Sequence, residues 1–94
     1  MKYLALILMT ASVTMYNSGT TTASGKKVYV GATACPRSIK LGTKVEIDGK
    51  AYTCEDRTAK WVEKKFGPTF DIYSTSSTPE LFQFGRKKMT VKLF

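Results

Sequence analysis

The chain contains no histidine, only three aspartates and only two cysteines, and each shortage removes a class of chemistry. Without an imidazole there can be no Ser-His-Asp or Cys-His arrangement, so the usual base-activated serine and cysteine nucleophiles are excluded. Two cysteines cannot supply the ligands of a structural zinc site, and no metal or other cofactor is expected. Long apolar runs are missing as well. The run Tyr3-Leu4-Ala5-Leu6-Ile7-Leu8-Met9 falls far short of the ~20 residues that cross a bilayer, so no permanent membrane span is expected. Acidic residues are few: 7 against 15 Lys and Arg, a formal net charge of +8. That balance favours an anionic partner, whether nucleic acid, an acidic membrane surface or an acidic cell-wall polymer. The positive charge is spread over Lys26-Lys27, residues 60–65 and Arg86-Lys87-Lys88, and any one cluster read alone is a solvated surface.

What is present fits one small domain of 94 residues. Met1-Lys2, the apolar run and the small residues Thr10-Ala11-Ser12 have the layout of a secretory signal. It is shorter than the roughly 15–30 residues such signals usually occupy. Residues 1–12 are read as that signal and residues 13–94 as the mature domain; the alternative for the same residues is a first strand buried on both faces. An even pair of cysteines, Cys35 and Cys54, in an exported domain of this size reads as one disulfide. Both readings place the protein outside the cell or in the cell envelope.

The rest of the chain is dominated by short strands. Val13-Thr14-Met15-Tyr16 reads as the first, followed by a Ser/Thr/Gly-rich loop over residues 17–25. The hydroxyls of that loop, Thr22 and Ser24 among them, suit turns and could face a sugar. Val28-Tyr29-Val30 opens a second strand towards Ala34-Cys35, which Pro36 closes. Val45 and Ile47 alternate with Lys44 and Glu46, and Asp48-Gly49 then returns the chain into Ala51-Tyr52-Thr53-Cys54 as a hairpin. Ala59, Val62 and Phe66 recur at helical spacing within a basic segment, leaving helical turns or a loop open there. Phe70-Asp71-Ile72-Tyr73 is a further strand. Thr78-Pro79-Glu80 has the start of a short helix, with Thr78 as its capping hydroxyl, and Gly85 its stop. Met89, Val91 and Leu93 alternate with lysines and Thr90 in a last strand. A mainly β domain of five or six short strands with one or two helical turns points to a small barrel rather than a sandwich.

Of the three aspartates, Asp48 belongs to the hairpin turn. Asp56 and Asp71 each end an apolar run. Either one alone reads equally well as a turn or cap residue, but together they are candidates for a shared acidic site. With histidine absent, general acid chemistry by a carboxyl is the leading catalytic option.

At this point the residues resemble a known family. Tyr16, Thr22-Ala23-Ser24-Gly25, Pro36, Leu41-Gly42-Thr43, Glu55-Asp56, Phe70-Asp71-Ile72-Tyr73, Phe84-Gly85-Arg86 and Val91 occur in the order of the 3D (three-aspartate) domain. This is the double-psi β-barrel module of membrane-bound lytic transglycosylase A and of many small cell-wall proteins. Asp56-Arg57 is also similar to the Asp-Arg pair of the rare lipoprotein A barrel. The resemblance covers nearly all of residues 13–94 and implies a six-stranded double-psi β-barrel. It implies Asp56 as proton donor and acceptor, with Asp71 its partner, and Thr22, Ser24, Arg57 and Tyr73 about the substrate. In a lytic transglycosylase the 6-hydroxyl of the muramic acid attacks its own C1, so one carboxyl can first protonate the leaving oxygen and then take up the hydroxyl proton. There are departures. The family's first aspartate falls on Cys35, Arg57-Thr58-Ala59 replaces a glycine-rich stretch, and the transglycosylase forms its groove with a second domain.

Three functions follow. The first is peptidoglycan cleavage of lytic transglycosylase type, with Asp56 and Asp71 as the catalytic pair. The second is a non-catalytic module that binds peptidoglycan or another anionic cell-wall glycan, which the missing first aspartate and second domain favour. The third is nucleic-acid binding, which rests on charge alone; no base-reading motif is present and no specific nucleic-acid partner is expected. The protein is expected to act as a monomer.

Overall fold

A computed structural model describes residues 7–94 of the chain. Six strands, β1 (Ile7–Tyr16), β2 (Ala32–Cys35), β3 (Lys44–Ile47), β4 (Lys50–Arg57), β5 (Thr69–Tyr73) and β6 (Lys87–Leu93), are joined by α1 (Lys60–Phe66) and α2 (Thr78–Phe84). The strands close into a barrel in the order β1-β5-β2-β4-β3-β6. β1–β5 and β2–β4 are parallel pairs; the remaining neighbours are antiparallel. Closure pairs the strand edges that would otherwise template aggregation. A closed six-stranded barrel with so few helices fits a double-psi barrel.

The interior follows from alternation, since successive side chains of a strand face opposite sides. Ala11 and Val13 of β1, Val45 and Ile47 of β3, Phe70 and Ile72 of β5 and Val91 of β6 form the buried core. Met9, Met15, Met89 and Leu93 continue the same stripes at the barrel ends. Asp48 and Gly49 both take positive φ, 52° and 78°, the backbone of a two-residue hairpin whose twist matches its strands. Cys35 and Cys54 form the expected disulfide, with Cα atoms 5.8 Å apart, and tie β2 to β4 inside the core.

Several elements differ from the sequence reading. β1 begins at Ile7, and Ile7 through Val13 pair antiparallel with Leu93 through Lys87 of β6. Of the segment read as a signal, residues 1–6 lie outside the described residues and residues 7–12 form the first part of this strand, with Ala11 and Ser12 buried. Val28-Tyr29-Val30 is not a strand: Gly31 turns with φ 109°, the Ala32 N–H bonds back to the Tyr29 carbonyl, and Val30 is left 69% exposed. β-branched residues alone cannot make a strand where the chain must turn. Residues 60–66 are a helix. α2 is capped by Ser77 rather than Thr78, because the Glu80 carboxylate reaches back to the Ser77 N–H at 2.9 Å. No helix among the described residues is long and apolar enough to cross a membrane.

Candidate functional site

Strand register assembles the site. Thr14 of β1 is the partner of Asp71 on β5, Asp71 is the partner of Ala34 on β2, and Ala34 is the partner of Asp56 on β4. All four residues line one open cleft of about 210 Å³ on the outer face of the barrel. The two carboxylates therefore flank the small Ala34 side chain. Their backbones are two strands apart, about 9.5 Å at the usual strand spacing.

A β-bulge decides that Asp56 belongs to this face. Thr33 pairs with Cys54 but Ala34 with Asp56, so Glu55 is an extra residue that shifts the alternation. Cys54 can then point into the core while Asp56, two residues on, points outward. Asp71 is not at a strand end, as the apolar run suggested. It lies in the middle of β5, because pairing with β1 continues through Ile72 and Tyr73.

The two acids are held differently. Asp56 Oδ1 accepts the backbone N–H groups of Arg57 at 2.8 Å and Ala23 at 3.1 Å. Asp71 Oδ1 accepts the Thr14 hydroxyl at 2.8 Å. Burial raises the Asp71 pKa above the ordinary aspartate value; the Thr14 hydrogen bond and Arg86 oppose that, and the charge of Asp56 adds to it. Arg86 is itself fixed, its guanidinium 3.8 Å from the centroid of the Phe66 ring at the end of α1. Tyr16 completes the group. Its phenol is pushed up to about 12, first by burial and then by the charges of Asp56, Asp71 and Tyr73.

One wall of the cleft is the segment carrying Thr58, Ala59 and Val62, so the start of α1 and the residues before it shape the site. Behind Asp56, Glu55 is only 2% exposed and anchors the preceding loop. Its carboxylate accepts the Tyr29 hydroxyl at 2.5 Å and faces Lys26 Nζ at 3.5 Å, while its carbonyl accepts the Ser24 N–H at 2.9 Å. The Tyr29 hydrogen bond, with smaller help from Ser24 and Lys26, outweighs burial and lowers the Glu55 pKa.

Of the residues expected about a substrate, Arg57 lines the cleft with Asp56 and Asp71. Its guanidinium donates to the carbonyls of Pro36, at 2.9 Å, and Ile39, which turns it to the 36–39 backbone. Tyr73 packs edge-on against Tyr16, ring centroids 5.5 Å apart, and lines a neighbouring hollow with Tyr52 and Ser74. Thr22 and Ser24 are joined hydroxyl to hydroxyl at 2.9 Å, and Thr22 also donates to the Lys26 carbonyl. Their loop thus holds the Ala23 N–H against Asp56, and neither residue lines the cleft. Cys35, where the resemblance puts a first aspartate, is turned into the core. The sequence signals no site role for Thr14 or Glu55; Tyr16 reads from it as part of a strand and of the resemblance, and Arg86 as part of a basic cluster and of the resemblance. Alternation could have placed Thr14 and Tyr16 on the face opposite Val13 and Met15, but not beside Asp71.

No family model, curated protein or solved structure matches the chain.

Proposed function

We propose that the protein acts on the glycan of the cell wall, cleaving it with the Asp56–Asp71 pair by lytic-transglycosylase-type chemistry. The observation that carries this reading is the register row Thr14, Asp71, Ala34 and Asp56, which brings two carboxyls to one open cleft. Burial keeps a proton on Asp71 to higher pH than on an ordinary aspartate, which suits protonation of a leaving glycosidic oxygen. Asp56, anchored through one oxygen by two N–H donors, leaves the other to accept a proton or steady a developing positive charge. The resemblance to the 3D domain supports peptidoglycan as the glycan, and the buried disulfide suits an oxidising compartment such as the periplasm or cell exterior.

A second reading is a module that binds such a glycan without cutting it. It is favoured by the cations Arg57 and Arg86 in the lining of the cleft and by Lys60, Lys64 and Lys65 on α1, the helix whose Val62 lines it, which suit an anionic polymer. Digestion of purified sacculi decides between the two. Anhydro-muropeptides from the wild type, lost in both Asp56→Asn and Asp71→Asn while the melting curve is retained, are the expected result. Sedimentation with sacculi in the absence of soluble products would replace cleavage by binding, and neither products nor sedimentation would end both readings.

A further inference from the structure

We propose that Tyr16 is the positioning residue of the carboxyl pair: its hydroxyl, held without a partner beside Asp56 and Asp71, donates to whichever of the two carries the negative charge. Among the described residues, the Tyr16 hydroxyl is the only buried side-chain polar atom with no hydrogen-bond partner. Folded proteins rarely leave such a group unpaired, and those that persist call for an explanation. The phenol lines the same cleft as both acids and lies within the field of each. Its ring is set by the edge-on contact with Tyr73, itself register partner of Tyr16 on β5.

The acids spend their hydrogen bonds elsewhere. Asp71 uses Oδ1 on Thr14, and Asp56 uses Oδ1 on the Arg57 and Ala23 N–H groups. Each keeps a second oxygen, and the carboxyl torsion of aspartate is broad enough to bring it round. The other groups facing this space are Arg86, just before β6, and Tyr73 on β5, with Arg57 engaged on the Pro36 and Ile39 carbonyls. A phenol is a neutral donor that adds no competing charge. It strengthens its bond as the acceptor ionises, because a bond to a charged acceptor is roughly twice as strong as a neutral one. When Asp71 releases its proton, Tyr16 steadies the charge left behind, and it follows the charge if the proton passes to Asp71 from Asp56.

This use rests on the acid–base reading above, but its test does not need a glycan. The full chain, labelled with ¹³C, is titrated by NMR at the aspartate carboxyls in wild type and in Tyr16→Phe, which keeps the ring and its contact with Tyr73. The expected result is an upward move of about one pH unit in the midpoint of Asp71 or Asp56, with a Tm that is unchanged or higher in acid and lowered at neutral pH, where the carboxylate has lost its donor. In the wild type, the ¹³Cζ shift of Tyr16 should follow that same midpoint, a readout that stands even if the variant folds poorly. Midpoints that do not move, or a Tyr16 shift flat across the aspartate titration, would overturn the proposal, as would a lowered Tm with unmoved midpoints. If the wild type neither cuts nor binds sacculi, the glycan reading fails while the titration still decides the role of Tyr16.

Discussion

Asp56 and Asp71 stand on either side of Ala34, yet the two flanks of the cleft treat a buried acid in opposite ways. On the β4 flank, Glu55 is almost wholly buried and its pKa is nevertheless lowered, because a phenol, a hydroxyl and an ammonium face its carboxylate. On the β5 flank, Asp71 is only half-buried and its pKa is raised, since one threonine hydroxyl and a more distant arginine do not offset the lost water. Burial does not by itself set the sign of the shift; what faces the group does.

The two flanks should therefore respond to pH in opposite directions. Glu55 has a folded pKa below its usual 4.5, so its contribution to stability is present above 4.5 and is lost as pH falls through the folded value. Asp71 has a folded pKa above its usual 3.8, so its contribution is present below 3.8 and is lost as pH rises through the folded value. Acid loosens the loop held by Glu55; neutral and alkaline pH strain the Asp71 side.

The largest expected effect removes the frame that both flanks share. The Cys35–Cys54 bridge joins β2, which carries Ala34, to β4, which carries Asp56. Its reduction, or the double change Cys35→Ala and Cys54→Ala, should cost about 3 kcal/mol. In a domain of this size that lowers Tm by more than ~10 °C. A Tm within a few degrees of the oxidised protein would mean that β2 and β4 hold their register without the bridge.

Glu55→Gln sharpens the contrast. It removes the charge from the hydrogen bond to Tyr29 and from the pair with Lys26, and should cost about 2 kcal/mol at pH 7. The loss should shrink towards zero near pH 3, and amide exchange in residues 20–31 should quicken at pH 7. An equal loss of Tm at both pH values would show that the carboxylate charge is not what holds the loop.

Thr14→Val tests the other flank with a smaller change. The variant loses the donor to Asp71 Oδ1 and should cost about 1 kcal/mol at neutral pH, and less in acid where Asp71 is neutral. The Asp71 carboxyl should titrate higher still, read by ¹³C NMR. A lower midpoint would mean that Thr14 favours the protonated acid.

Much of the barrel was legible from the residues because its signals are local. The alternation of Val45 and Ile47, the Asp48-Gly49 turn and the stripe Met89, Val91 and Leu93 each lie within a few residues of chain. The cysteine pair was legible for a different reason, since composition and size alone favour one bridge. Legibility failed where distant contacts outweigh local preference. Val28-Tyr29-Val30 has strand-forming residues but turns at Gly31 to deliver Tyr29 to Glu55.

The sequence by itself determined which residues could face a core, where the tightest hairpin lies, and that no histidine chemistry is open to the chain. Beyond the β3–β4 hairpin, only the tertiary structure decided which strands are neighbours, and the candidate site depends on that. Period-two patterning names the face of a strand but says nothing of its partner, so Thr14 and Asp71, 57 residues apart, meet only through register. The extra residue Glu55 likewise leaves no mark in composition, yet without that bulge the face of Asp56 would be the face of Cys54. The unequal environments of the two aspartates come from the same source, because solvent exclusion and facing charges are properties of packed neighbours and not of the chain.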